Sequence, residues 1–436
     1  MRSILVAPWG KPFRWGKTKY RFDEEVQESN SSLPVLIRKL NPSKTIIIVL
    51  DTLAETGGSY EELVKNVEAL CWNFIKDKLK LNNSSIDILV SPGVGIFPNG
   101  VFKGRMEDYY SYVLFKLSSL LVENVENEKD VTIHLDLTHG VNFMPVLTYR
   151  ALSEIAGILA ISKSVNFNVY NSDPYSEEAK ELSINIVEKT LVKPNPCRDL
   201  LSLNIRFLEP IDLTRDERKE LYRNRLKNCR ELSREEINAF LSSLVNGLPL
   251  ILCTFYPDVS NLERCLRECE EIYKDYIRVE NKGKLFVRRR ICYSKDFVVL
   301  TKAYLSAKII NMQKCTEVSL KQLHEIREKV FSKDKKLDVL ISHELHTIES
   351  KIKNLSNKPS EWTLFTNILG EEEGEIDPRN FIAHAGLERN AIEIIYRCRD
   401  SLKEAVKVRY KQEKLEKIKK CASKGLETEM TSHEQN

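Results

Sequence analysis

No apolar run in this chain approaches the roughly 18 to 20 residues that a membrane-crossing helix needs. Residues 1–20 mix basic and aromatic side chains into a strand-like run, so a soluble, cytoplasmic protein is expected. A charge bias is missing too. The 67 basic and 63 acidic residues nearly cancel, to a formal +4, so general charge cannot hold an anionic partner and any nucleic-acid contact must be local. The 10 cysteines lack the paired spacing of a zinc ribbon; Cys265 and Cys269, four apart on a helical pattern, suit core packing as structural thiols. Where a dehydrogenase would carry G-x-G-x-x-G after its first strand, the chain has Ala7-Pro8-Trp9-Gly10-Lys11-Pro12, and Gly93 and Gly95 follow a later strand without the third glycine. His343-Glu344-Leu345-His346 fails as a zinc-protease helix, because Thr347 stands where the second histidine belongs. No metal site is expected.

What is present is enough apolar content, 42% of 436 residues, for two or three domains. Over residues 1–180, Ile4 to Ala7, Thr45 to Leu50, Ile86 to Val90, Val131 to Leu137 and Val165 to Tyr170 read as strands, and their near-continuous hydrophobicity predicts a mainly parallel sheet covered on both faces. Between them Tyr60, Leu63, Val64, Val67, Leu70, Cys71, Phe74 and Ile75 keep helical spacing, as do 106–122 and 143–157, which makes a βαβ, Rossmann-like α/β domain. Such sheets bind ligands at the carboxyl ends of their strands. Those ends carry Trp9, Gly10 and Lys11; Asp51 and Thr52; Ser91, Pro92, Gly93 and Gly95; and Asp136, Thr138, His139, Gly140 and Asn142. Glycines admit phosphates to backbone amides, and Thr138, His139 and Asn142 can donate to phosphate or base edges. The alternative is a set of ordinary strand-to-helix turns.

After Pro194-Asn195-Pro196 the pattern turns helical, with Ser233 and Glu236 forming a capping box before Ile237, Phe240, Leu241 and Leu244. Residues 181–300 are expected as a helical linker. Within it Lys284 to Tyr293, carrying Arg288-Arg289-Arg290, and Phe297 to Leu300 read as strands of a winged-helix-like module, whose arginine run is either a solvated face or a nucleic-acid contact. From 301 to 436 an all-α domain is predicted, with helices over 302–312, 318–331, 336–355 and 388–420 and a polar, frayed end from 421.

The most informative segment runs from Asp377 to Leu387. Asp377 is a good N-cap and Pro378 a good first helical residue, which puts Arg379 in the first turn, where a cation opposes the helix dipole. Asn380 and His384, four apart, share a face beside it. A local rule broken without compensation points to function. Attack by a ribose 2′-hydroxyl on the neighbouring phosphate needs a proton acceptor, a proton donor and positive charge at the phosphate; histidine and arginine supply these without a metal.

With Arg379-Asn380-x3-His384 at one end and Asp136-x-Thr138-His139-Gly140-x-Asn142 at the other, the chain resembles the CRISPR-associated ribonucleases of type III systems that join a Rossmann-like CARF sensor to a HEPN domain. The resemblance implies a homodimer whose CARF domains bind one cyclic oligoadenylate, cyclic tetra-adenylate above all, and whose HEPN domains combine Arg379, Asn380 and His384 of both copies into a site cutting single-stranded RNA. Two other readings stay open: a ligand-gated regulator that binds DNA through the basic linker, and a phosphodiesterase that degrades its own cyclic ligand at Thr138 or His139.

Overall fold

The computed structural model describes residues 2–81, 85–176, 178–281, 283–397 and 401–433. The N-terminal strands are β1 (Arg2–Pro8), β2 (Thr18–Phe22), β3 (Glu25–Ser29), β4 (Lys44–Leu50), β5 (Ile86–Ser91), β6 (Gly95–Phe97), β7 (Gly100–Lys103), β8 (Asp130–Asp136), β9 (Ser164–Ser172) and β10 (Glu181–Leu191). Eight of them form one sheet in the order β3-β2-β10-β9-β8-β1-β4-β5. From β9 to β5 every pairing is parallel; β10 adds to β9 in antiparallel fashion, and β2 and β3 extend that edge. Strands buried on both faces lose the alternating pattern, which is why Ile4, Leu5, Val6 and Ile46 to Val49 are all apolar and all buried. The five expected strands match β1, β4, β5, β8 and β9 to within a residue or two.

The helix Tyr60–Asp77 starts where the Ser59 side chain accepts from the Glu62 amide, and it buries Leu63, Val67, Cys71, Phe74 and Ile75. Helices Glu107–Val125 and Met144–Leu159 complete the covering layers. With β1 in mid-sheet and the chain running to β4 on one side and to β8 on the other, the strand order reverses beside β1. The loops leaving the carboxyl ends of β1, β4 and β8 gather at this point.

The chain divides into two units, neither continuous in sequence. The first runs to Val192 and adds Arg206–Lys227 and Leu266–Thr301; the second takes Lys193–Ile205, Asn228–Cys265 and everything from Lys302. Residues 181–300 are thus shared between the units. In the first, β11 (Leu208–Pro210) pairs with β14 (Ile291–Tyr293), while the hairpin of β12 (Ile277–Asn281) and β13 (Leu285–Arg289) joins β7 and β6 in a four-stranded sheet. Strand β13 runs parallel to β7 from Leu285 opposite Gly100.

This pairing corrects the reading of the arginine run. Arg289 is fully buried, its guanidinium donating to the Gly93 carbonyl at 2.8 Å and to the Asp51 carboxylate. Arg290 binds Glu217 through two nitrogens at 2.5 and 2.6 Å, and Arg288 meets Asp212 at 2.5 Å. Arg289 and Arg290 are thus internal bracing, while Arg288 stays on the surface, paired with Asp212. Phe297 to Leu300, expected as a strand, lie in the helix Lys295–Ile310.

In the second unit, Ser233 accepts from the Glu236 amide and starts the helix Arg234–Asn246, with Ile237, Phe240, Leu241 and Leu244 buried. The helix Lys335–Lys353 turns Ile341, Leu345, Ile348 and Ile352 inward, on the expected face. The domain is not all-α. Strands β15 (Val318–Ser319), β16 (Thr363–Leu364), β17 (Ile392–Tyr396) and β18 (Val406–Tyr410) make an antiparallel sheet in the order β15-β18-β17-β16. The helix expected over 388–420 is replaced by this hairpin and the helix Leu415–His433. Val406, Val408 and Tyr410 alternate with Lys407 and Arg409, a two-residue period with every second side chain buried. The end expected to fray from 421 continues that last helix to His433, with Cys421, Ala422 and Leu426 buried; residues 434–436 lie outside the described residues. Cys265, expected as a structural thiol, is joined to Cys229 in a disulfide with Cα atoms 4.8 Å apart. No helix among the described residues is long and apolar enough to cross a membrane.

Replacing Arg289 by alanine strands the Asp51 carboxylate in the core, and we expect a loss of about 3–5 kcal/mol in urea unfolding. Arg288→Ala, which removes an exposed cation, should shift the same transition by less than about 0.5 kcal/mol. Equal effects of the two substitutions would refute the internal role of Arg289.

Candidate functional site

Two places in the molecule gather chemistry, one in each unit. In the first unit the loops beside β1 are tied to each other before any ligand arrives. The Gly10 amide donates to the His139 carbonyl at 2.9 Å, and a Cβ on Gly10 would come within 2.5 Å of Val141, so only glycine allows the two loops this close. Asp136 is buried and spent on structure: its carboxylate accepts from Ser32 Oγ at 2.6 Å and from the Thr138 amide at 3.0 Å. Thr138 Oγ1 in turn accepts from the Ser172 amide at 3.2 Å.

Asp51 has the same inward role, accepting from the Gly93 amide at 2.9 Å, from Tyr60 at 3.2 Å and from Arg289. Ser91, Pro92 and Gly93 are buried beneath the loops, and Trp9 is fully buried with its ring edge-on to Trp15 and Phe74. Gly95 begins β6 at φ 146°, and the Gly140 amide donates to the Leu137 carbonyl at 3.2 Å. The expected ligand residues therefore divide. Asp51, Ser91, Pro92, Gly93 and Asp136 form the frame, while Trp9, Gly10, Lys11, Thr52, Thr138, His139 and Asn142 line open space.

That open space is two cavities with Arg14 on the wall of both. One, of about 460 Å³, is lined by Trp15, Tyr20, Thr138, His139 and Tyr175. The other, of about 340 Å³, is lined by Lys11, Thr52, Phe97, Asn99 and Asn142. The His139 ring stacks on Trp15 at 3.9 Å between centroids, and its Nε2 accepts from the Ser32 amide at 3.2 Å. An amide can only donate, so the neutral ring carries its proton on Nδ1. Burial outweighs the attraction of Asp136 and pushes the His139 pKa down to about 4. Arg14, Trp15, Tyr20, Phe97, Asn99 and Tyr175 were not singled out in the sequence. Exposed Lys11 and Arg14 with the nearby aromatic faces were the available signal, since cations and stacking surfaces are what a nucleotide needs.

In the second unit the helix Pro378–Ala383 is only six residues long, and both of its ends are fixed. Asp377 Oδ1 accepts from the amides of Arg379 and Asn380, each at 3.0 Å. At the other end the Gly386 amide donates to the Phe381 carbonyl at 2.8 Å and the Ala385 amide to Ile382 at 3.0 Å, a Schellman turn. Both Ala385 and Gly386 have positive φ, 50° and 72°, and a Cβ on Gly386 would sit 3.0 Å from the Tyr410 hydroxyl. That hydroxyl donates to the Gly386 carbonyl at 2.9 Å, and its ring faces the fully buried Phe381. A further buried network ties the flanking loops together: Asn390 accepts from Thr366 and from the Gly374 amide, each at 2.9 Å, and donates to Glu388 at 2.7 Å.

On this fixed helix Arg379 and Asn380 are exposed, and among the described residues no side chain pairs with either. His384 caps the C-terminus, its amide bonded to the Asn380 carbonyl at 2.9 Å, so its side chain follows that of Asn380 by one turn. Its ring is half exposed, and Nδ1 lies 3.2 Å from the carboxylate of Glu344 on the helix Lys335–Lys353. Glu344 went unselected because its segment was read only as a failed zinc motif. On the same helix Glu349 meets His324 Nε2 at 2.6 Å.

Residues 4–174 match the family model described as the CARF domain of the CRISPR system endoribonuclease Csx1, and residues 334–414 match the model for its HEPN domain. Over 415 residues the chain is 35% identical to a protein named CRISPR system endoribonuclease Csx1 from Methanocaldococcus jannaschii, covering 90% of this chain and 87% of that protein.

Burial holds the pKa of His139 and of His134 down at about 4, against 6.5 for a free histidine. Between these values the unfolded chain binds protons that the folded one does not, so acid favours unfolding. The first unit should lose stability as pH falls from about 6.5 to about 4 and gain no further loss from these groups below that. Melting curves of the wild type and of His134→Gln should separate in that window, and coincident pH profiles would refute the shift.

Proposed function

The chain belongs to the Csx1 family of CRISPR system endoribonucleases and is an endoribonuclease, and from that premise we propose that it cuts single-stranded RNA without a metal ion in the C-terminal domain, under control of a cyclic oligoadenylate bound by the N-terminal one. The observation that carries the reading is an arginine held unpaired and exposed in the first turn of a doubly capped helix, with Asn380 beside it and His384 one turn on. A cation against the helix dipole costs stability, and among the described residues no side chain pairs with Arg379 to repay it. A scissile phosphate does.

In this reading the RNA 2′-hydroxyl gives its proton to one histidine as its oxygen attacks the adjacent phosphorus. The bond from phosphorus to the 5′-oxygen breaks, and that oxygen takes a proton from a second histidine. The products are a 2′,3′-cyclic phosphate and a 5′-hydroxyl. The attacking and leaving oxygens stand on opposite sides of the phosphorus, too far apart for one imidazole to serve both in a single step, so the second histidine comes from another copy of the chain, with Arg379 and Asn380 of both copies around the phosphate. A two-fold pair of chains suits a ring-shaped activator with the same symmetry, which favours cyclic tetra-adenylate. Lys11 and Arg14 would meet its phosphates; Trp15, Phe97 and Tyr175 would stack its adenines, and Thr138, His139 and Asn142 would donate to it. Switching a population from 1:99 to 99:1 needs about 5.5 kcal/mol of differential binding, within reach of several such contacts.

Single-stranded RNA should be cut in EDTA, faster with cyclic tetra-adenylate than with rings of other size, and His384→Ala or Arg379→Ala should lower kcat at least about 100-fold. Lys11→Ala and Arg14→Ala should leave the maximal rate alone and raise the activator concentration for half-maximal cutting about tenfold. Cutting by His384→Ala at the wild-type rate would end the site assignment.

A further inference from the structure

We propose that Glu344 is a positioning residue for His384, holding the neutral ring with its proton on Nδ1 so that Nε2 is the nitrogen offered to RNA. The inference rests on the reading of His384 as the proton-transfer group. A neutral imidazole has two tautomers of similar energy, and only the one with a bare nitrogen toward the 2′-hydroxyl can act as base. A carboxylate beside Nδ1 chooses between them, because it accepts from an Nδ1–H and repels a bare nitrogen lone pair. The Glu344 oxygen stands 3.2 Å from that atom.

Burial separates this pair from an ordinary surface ion pair. The His384 side chain is 51% exposed, whereas that of Glu344 is 13% exposed. A carboxylate drawn that far out of water needs a partner. Among the described residues Glu344 has no other hydrogen-bond or ion-pair partner than His384. The supports are unequal in the useful sense. Glu344 sits in the middle of a 19-residue helix anchored by buried Ile341, Leu345 and Ile348, while His384 ends a helix of six residues with its side chain half exposed. The anchored partner orients the exposed one. Once a proton has moved to Nε2, the same carboxylate faces an imidazolium and stabilises it, so its effect is larger in the step than before it.

The test uses the full-length protein with single-stranded RNA and cyclic tetra-adenylate. Glu344→Ala should lower kcat about 10- to 100-fold with KM within about twofold of the wild type. Glu344→Gln, which keeps an acceptor oxygen but no charge, should recover part of the loss. Glu349→Ala removes the other histidine-paired carboxylate of the same helix and should leave kcat unchanged, which separates positioning from helix damage. Nitrogen-15 spectra of histidine-labelled protein should show neutral His384 protonated on Nδ1 in the wild type and a tautomer mixture in Glu344→Ala. Wild-type kcat in Glu344→Ala, or an Nε2-protonated ring in the unaltered protein, overturns the proposal. The spectrum of the unaltered protein decides the matter even if Glu344→Ala fails to fold. Retained cutting by His384→Ala would instead bring down the underlying reading.

Discussion

Six residues cannot hold a helix by their own backbone hydrogen bonds, since the cost of nucleating the first turn outweighs what so few bonds return. The short helix that carries Arg379 exists because it is gripped from outside: Asp377 closes its first amides, Phe381 is buried beneath it, and the Tyr410 hydroxyl closes the glycine turn after it. The exposed chemistry depends on that grip. A guanidinium in the first turn weakens a helix, and only a helix stabilised by its surroundings can keep one there. The β17–β18 hairpin, absent from any all-helical reading of the domain, supplies Tyr410 and so belongs to the site although it carries none of its reactive groups.

The N-terminal unit follows the same logic with different parts. Its loops carry many polar residues, and the most deeply placed of them work on the protein itself. Asp51 and Asp136 bind backbone amides, hydroxyls and a buried arginine, and in doing so shape a floor on which Lys11, Arg14, His139 and Asn142 face the cavities. A buried carboxylate without partners would cost several kcal/mol, so its neighbours had to be supplied by the fold. The partner of Asp51 comes from 238 residues away in sequence.

Much of this was legible in advance. Continuous apolar runs announced the parallel strands, because such strands are covered on both sides. The Asp377-Pro378 start announced a helix end, because those two residue types satisfy and tolerate free amides. Arg379 and His384 stood out because a cation in a first turn conflicts with its own helix. Other features carried no local signal. The arginine run looked like surface because its carboxylate partners lie in two distant segments, one at Asp51 and one from Asp212 to Glu217. Apolar residues from 388 to 420 fit a 3.6-residue period loosely, while the two-residue period of Val406 to Tyr410 is short and its nearest pairing partner, Tyr396, lies ten residues back.

Sequence alone determined the five parallel strands of the N-terminal domain and the place where the helix Pro378–Ala383 begins, and it singled out Arg379, Asn380 and His384 as candidates, because each depends on neighbours within a few residues. Tertiary structure decided which acidic residues face a ligand and which brace the core, that Arg289 is interior, and that Glu344 lies against His384. Those outcomes hang on which distant segment arrives with the matching charge or hydrogen bond, and no local pattern encodes that arrival.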